Sequence, residues 1–213
     1  MIVDERMVTY INSLDKGNTP FLNELEKEAL SNHVPIIRRE MQSFLKVLLQ
    51  MKAPLRILEV GTAVGFSTIL MSTYAPKECK IITIENYEKR IPVAKENFKK
   101  AGKEEQIQLL EGDAKEVLKT LSEPFDFIFM DAAKGQYINF LPDVLRLLKT
   151  GGILLSDNVL QDGDIIESHF AVERRNRTIY KRMRQYLYVL KNHELLETSI
   201  LPLGDGVTLS IKK

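Results

Sequence analysis

From about residue 55 onward the chain alternates short apolar runs with longer amphipathic stretches, and this alternation limits its fold more than any other feature. LRILEV, KIITIE, IQLLEG, FDFIFM and GGILLS read as strands, while FSTILMSTYA, a charged stretch ending at Gly102, AKEVLKTL and NFLPDVLRLLK read as the helices between them. Such repetition builds a parallel, doubly wound sheet, because each strand returns to its neighbour through a helix packed on one face. Gly102 and the Gly151-Gly152 pair read as helix stops. Past residue 170 the pattern changes: a long amphipathic stretch to about His193 precedes LLETSILPL and VTLSIK. Joined through Gly204-Asp205-Gly206, these two runs read as an antiparallel hairpin. The first fifty residues look helical, with LNELEKEAL and MQSFLKVLLQM separated by Pro35. The expected fold is therefore α/β and mostly parallel: seven strands with a C-terminal antiparallel hairpin, a core over 55–213 and a helical cap over 1–50, forming one domain across 1–213.

A chain of 213 residues can bury a large core without disulfides or a structural metal. Lys plus Arg number 30 against 29 Asp plus Glu, so net charge excludes no class of partner and local clustering has to decide. The lone cysteine, Cys79, rules out an internal disulfide and fits a reducing compartment. The start, MIVDERMVTYINSLDKG, has early acids in place of the basic flank and apolar core of a signal peptide, and no apolar run reaches membrane-spanning length. A cytoplasmic protein is expected.

Two of the strand runs end in oxygen donors. FDFIFM stops at Asp131, and GGILLS stops at Asp157 followed by Asn158. In a parallel sheet all three project from the carboxyl edge, where open α/β folds bind ligands. Two carboxylates and an amide suit Mg²⁺ or Ca²⁺ and not zinc, which favours His and Cys. Each acid taken singly reads equally well as a helix N-cap or turn residue; three on two strands read as a site. Upstream, LRILEVGTAVGFST places Glu59, Gly61 and Gly65 where the first strand turns into its helix, so backbone N–H groups can face a ligand. The spacing is G-x-x-x-G, not the G-x-G-x-x-G that seats a pyrophosphate, and it suits a ligand with an amino acid end. The second strand ends at Glu85, about 20 residues on, where an acid bonds ribose hydroxyls in nucleotide-binding units. Asp113 in Gly112-Asp113-Ala114 could meet an adenine amino group or cap the helix AKEVLKTL.

Taken together, EVGTAVGFST, Glu85, GDA at 112–114, DAAKGQY at 131–137 and SDN at 156–158 resemble the divalent-metal-dependent O-methyltransferases, a family that includes catechol and caffeoyl-CoA enzymes. The resemblance covers nearly the whole chain. It implies a Rossmann-like methyltransferase fold with strand order 3-2-1-4-5-7-6, S-adenosylmethionine and Mg²⁺ as cofactors, and a homodimer. It further implies Asp131, Asp157 and Asn158 as metal ligands, Glu85 on the ribose, Asp113 and Ala114 near the adenine, and Glu59, Gly61, Gly65 and Ser67 around the amino acid end. Met41 would sit near the sulfonium, with Asp131 reaching the cofactor as well, and Lys134 would be the catalytic lysine. HVPI at 33–36, DAAKGQY, DNVL at 157–160 and PLGDG resemble the bacterial branch that methylates 5-hydroxyuridine at the wobble position of tRNA. Departures from the plant members are Met41-Gln42 in place of a Gly-Gln pair and the absence of their long insertion loop.

A hydroxyl is a poor nucleophile at neutral pH, and a divalent cation both lowers its pKa and orients it. The acceptor should therefore chelate, as catechol does with two hydroxyls and 5-hydroxyuracil with its hydroxyl and neighbouring carbonyl. Lys134 could take the proton or stabilise the oxyanion. In ERRNRTIYKRMRQYLYVL, Ile179, Met183, Leu187 and Leu190 share one helical face, while Arg174, Arg177, Lys181 and Arg184 share the other. Such a stripe alone reads as solvated surface. With the resemblance it reads as phosphate contacts to a tRNA anticodon stem-loop through Arg174, Arg175, Arg177 and Lys181, with Arg182 beside them. Core packing is the expectation for at least two of Tyr180, Tyr186 and Tyr188. The rival readings are a small-molecule catechol-type enzyme and a non-catalytic RNA-binding protein.

Overall fold

A computed structural model of the chain describes residues 3–168 and 170–213; Met1, Ile2 and His169 lie outside the described residues. Its strands are β1 (Arg56–Val60), β2 (Lys80–Glu85), β3 (Ile107–Glu111), β4 (Phe125–Met130), β5 (Leu148–Ser156), β6 (Leu196–Leu201) and β7 (Val207–Lys212). They form one sheet in the order β3-β2-β1-β4-β5-β7-β6. β1 to β5 pair in parallel, and β7 runs antiparallel to both β5 and β6. This is the seven-stranded arrangement expected from the sequence.

The central strands are apolar on both faces because both are covered. Leu58, Val60, Phe127, Ile128, Phe129 and Met130 are all completely buried. On one face, α3 (Arg39–Lys52) sets Met41, Leu45 and Leu49 against α4 (Phe66–Tyr74) and the Ile57 and Phe129 side of the sheet. On the other face, α7 (Tyr137–Leu147) and α8 (Arg177–Asn192) pack Tyr137, Val144, Met183 and Leu190 against Leu58, Ile128 and Leu154. The helical cap consists of α1 (Glu5–Ser13), α2 (Pro20–Ser31) and α3, and α5 (Ile91–Lys100) and α6 (Ala114–Thr120) complete the crossovers. Among the described residues no helix is long and apolar enough to cross a membrane.

One turn assignment changes. Gly102 does end α5: its φ is +64° and the Lys103 N–H reaches back to the Phe98 carbonyl. Gly151-Gly152 do not end a helix, because α7 stops at Leu147 and both glycines lie inside β5. The pairing there jumps from Phe125–Leu148 to Phe127–Ile153, so the pair absorbs an irregularity in the ladder.

The strand order reverses between β1 and β4, which opens a crevice at their carboxyl ends. Gly61 follows β1 with φ +105°, and a Cβ built on it would lie 2.0 Å from the Asp131 carbonyl oxygen. Only glycine lets the two strand ends approach so closely. At the neighbouring edge, the Asp157 N–H bonds the Met130 carbonyl at 2.9 Å, so the residues after β4 and β5 start side by side.

Candidate active site

Two cavities open at this edge. The larger, about 900 Å³, is lined by Gly61, Thr62, Ala63, Ser67, Glu85, Tyr87, Arg90, Asp113, Ala114, Lys134 and Gln136. The smaller, about 210 Å³, is lined by Arg38, Met41, Asp157, Gly204 and Asp205. Pro35, Ile36, Ile37, Asp131 and Asn158 line both, so the cavities meet at the end of β4.

In the larger cavity, the Glu85 carboxylate is fixed by backbone: it accepts from the N–H of Ala63 at 2.7 Å, of Asn86 at 3.0 Å and of Tyr87 at 2.9 Å. A carboxylate offers about four acceptor positions, so capacity remains for a ligand hydroxyl. Asp113 caps α6, accepting from the Lys115 N–H at 2.8 Å, and also lines the cavity.

Glu59 and Gly65 do not line the cavity; they shape it from behind. Glu59 is completely buried, and its carboxylate accepts the hydroxyls of Ser67 at 2.5 Å, Thr83 at 2.6 Å and Thr68. Burial pushes its pKa up to about 7 against the opposing pull of those hydroxyls. Glu59 thus clamps the first turn of α4 to β2, and the Ser67 hydroxyl, though Ser67 faces the cavity, is committed to it. Gly65 adopts φ +85° ahead of α4, where a Cβ would lie 2.5 Å from the Phe98 ring.

At the meeting point, the Asn158 amide donates to Asp131 at 3.1 Å, and the Asn158 N–H donates to Asp157 at 2.7 Å. Asn158 holds φ +59°, a left-handed backbone that Asn tolerates better than most residues. Burial raises the pKa of Asp131, opposed by the Asn158 bond and the Lys134 charge. Asp157 is pushed up to about 7 by burial and by the charges of Asp131 and Asp205. Two buried carboxyls therefore share this point, and Lys134 and Asn158 offset the cost of their charge only in part. Among the described residues no three His, Cys, Asp or Glu side chains converge as a metal cluster; the donor set is two carboxylates and an amide.

Asp205 and Tyr137 belong to this site and were not picked out from sequence. Asp205 sits in the β6–β7 loop, is 3% exposed, and accepts from Lys134 at 2.9 Å and from the Asp162 N–H. Between two glycines in a hairpin loop, Asp205 reads locally as a turn residue, and only its place in PLGDG marks it otherwise. The buried Tyr137 hydroxyl lies 3.1 Å from the carbonyls of Met130 and Asp157 and accepts from the Ala132 N–H, tying the two strand ends together. Met41 lines the smaller cavity and is buried.

The O-methyltransferase family model matches residues 12–213. The chain belongs to this O-methyltransferase family. A catechol O-methyltransferase from Niastella koreensis is 30% identical over 99% of this chain and 91% of its own length. Caffeoyl-CoA O-methyltransferase 2 from Populus trichocarpa is 33% identical over 78% of this chain and 70% of its own. Among solved structures, a Staphylococcus aureus protein provisionally named as a caffeoyl-CoA O-methyltransferase superposes with a TM-score of 0.90 at 31% identity, covering 99% and 100% of the two chains. The methyltransferase PaMTH1 of Podospora anserina, bound to S-adenosylhomocysteine, gives 0.87 at 28% identity, covering 98% and 94%.

The basic segment is more divided than its helical wheel implies. Arg175 is 81% exposed and pairs with Glu173 at 2.7 Å, while Arg174 and Lys181 are exposed. Arg177 instead donates to the carbonyls of Val172 at 3.1 Å and Phe170 at 3.4 Å, and Arg184 donates to Ile165 and the Tyr180 hydroxyl. Those two arginines hold the loop before α8. Tyr180 and Tyr186 are buried and Tyr188 is exposed.

Proposed function

We propose that the protein transfers a methyl group from S-adenosylmethionine to the hydroxyl of an acceptor with two adjacent oxygens, with Mg²⁺ as its cation, and that the acceptor is 5-hydroxyuridine in tRNA. The observation that carries the reading is the junction of a large cavity and a ring-sized one at Asp131 and Asn158. S-Adenosylmethionine supplies an electrophilic methyl when bound, and Mg²⁺ supplies positive charge that acidifies an acceptor hydroxyl. The donor set fits a hard cation: Asp131 and Asp157 are held together despite their mutual repulsion, and Lys134 is already paired with Asp205.

Within this reading, Glu85 holds the ribose, Asp113 and Ala114 border the adenine, and the backbone from Gly61 to Ala63 meets the amino acid end. The relative bound to S-adenosylhomocysteine supports this class of cofactor. Asp131, Asp157 and Asn158 hold the cation. Ile36, Ile37 and Met41 exclude water from the smaller cavity, so the acceptor is oriented against apolar walls. Lys134, steadied by Asp205, stabilises negative charge on the acceptor oxygen as its proton passes to water.

The exposed Arg174, Arg175 and Lys181 support the tRNA reading as cations free to meet backbone phosphates. A catechol-type acceptor is the second reading, favoured by the small cavity and by the catechol and caffeoyl-CoA names of the relatives. Mass spectrometry of products from tRNA carrying 5-hydroxyuridine and from catechol, each incubated with cofactor and Mg²⁺, separates them. Methylation of catechol alone overturns the tRNA assignment, and methylation of neither overturns both.

A further inference from the structure

Arg38 is the cationic side chain in the lining of the smaller cavity, whose other charged groups are Asp131, Asp157 and Asp205. Its guanidinium lies 3.3 Å from Asp162, with 39% of the Arg38 side chain and 59% of the Asp162 side chain exposed. The lining therefore runs from buried acids to a half-exposed cation. Asp162 is held in place by its own backbone: it adopts φ +51° beside Gln161 at φ +52°, and its N–H bonds the same Asp205 carboxylate that accepts from Lys134. Arg38, Asp162, Asp205 and Lys134 are thus linked in series, with the nearly buried Asp205 carboxylate accepting from both the Asp162 N–H and Lys134.

We propose that Arg38 is a specificity residue that receives an oxyanion on the acceptor, taking it in exchange for Asp162. The assignment rests on the smaller cavity being the acceptor site. An exposed ion pair contributes little to stability, so it is readily exchanged. A guanidinium presents a planar fork of donors that matches phosphate and carboxylate bidentately, and such charge-assisted bonds exceed what one exposed aspartate at 3.3 Å provides. The acids deeper in the cavity are the reason for a separate cation: an anionic acceptor would be repelled by Asp131, Asp157 and Asp205 unless its charge stayed at the rim. In the tRNA reading the oxyanion is the phosphate attached to the reacting nucleotide; in the small-molecule reading it is a ring carboxylate.

Calorimetric binding and initial rates with two matched pairs test this: 5-hydroxyuridine against its 5′-monophosphate, and catechol against 3,4-dihydroxybenzoate. In the parent protein the anionic member of at least one pair should bind about tenfold or more tightly than the neutral one. In Arg38→Gln that preference should vanish while the neutral member changes less than about twofold, and Arg38→Lys should restore part of it. The uridine pair responding identifies a phosphate, and the catechol pair responding identifies a carboxylate. No anionic preference in the parent, or a preference that survives Arg38→Gln, overturns the proposal, as does an equal loss on both members, which would make Arg38 a structural tie to Asp162. Failure to methylate either pair counts against the methyl-transfer reading, whereas the binding ratios still report on Arg38.

Discussion

The ammonium of Lys134 meets the carboxylate of Asp205 at 2.9 Å, joining the turn after β4 to the β6–β7 hairpin loop. Asp205 is almost fully buried and Lys134 is one-third exposed, so the pair has one fixed partner and one adaptable one. Removing the lysine leaves a buried carboxylate beside Asp157; removing the carboxylate frees the lysine to wander. Asp205→Asn, which keeps the shape and removes the charge, should lower kcat by about tenfold to a hundredfold while cofactor affinity stays within about threefold. Lys134→Gln should lower kcat to a similar degree, and the double variant should be little worse than either single one, because the two groups act as a unit. Fully additive losses in a double-mutant cycle would show that they act separately.

Asp157 lines the smaller cavity and not the larger one, so its replacement tests the two cavities separately. Asp157→Ala should abolish turnover, and EDTA should do so in the parent. Titration calorimetry should find S-adenosylmethionine binding nearly unchanged in the variant. Turnover that survives both treatments would remove the cation from the mechanism.

Glu59 gives the protein a pH-dependent stability. Its pKa rises from 4.5 to about 7 on folding, so between those values the folded state binds the proton that the unfolded state has lost. Stability from this group is therefore fully present below about pH 4.5, declines as the pH rises to about 7, and is flat beyond; the whole swing is about 3 kcal/mol. Glu59→Gln should flatten the urea-unfolding profile across that window relative to the parent. An unchanged difference between the two proteins from about pH 5 to about pH 8 would show that the three hydroxyls hold Glu59 ionised throughout.

The sheet was legible in sequence because its signals are local: runs such as FDFIFM and KIITIE are apolar on both faces, and the change of pattern after residue 170 marks the hairpin. The positions of Asp131, Asp157 and Asn158 at one edge follow from parallel topology alone. What sequence could not reveal was which polar groups are spent inside the protein. Glu59 lies beside the glycine turn in sequence, yet three hydroxyls from α4 and β2 claim it. Asp205 looked like a turn residue until the loop folded back on Leu160, where a Cβ on Gly206 would lie 2.2 Å from Leu160 Cγ. Gly151-Gly152 carried a stop signal that fits a bulge equally well.

The basic surface divides in the same way between committed and uncommitted groups. Arg177 is anchored to the Val172 and Phe170 carbonyls, so replacing it would loosen the loop before α8 and confound any RNA effect. Arg174, Arg175 and Lys181 are exposed, and the ion pair of Arg175 with Glu173 is too exposed to hold it. The triple variant Arg174→Ala, Arg175→Ala, Lys181→Ala should keep the parent's melting temperature and its rate on a free nucleoside. Its affinity for tRNA should fall, and the slope of log K against log salt should become shallower by about 0.7 to 0.9 for each phosphate that the protein no longer neutralises. Binding measured at several salt concentrations decides the matter. A parent slope near zero, or one that the triple variant leaves unchanged, would return this segment to solvated surface and leave the small-molecule acceptor as the better reading.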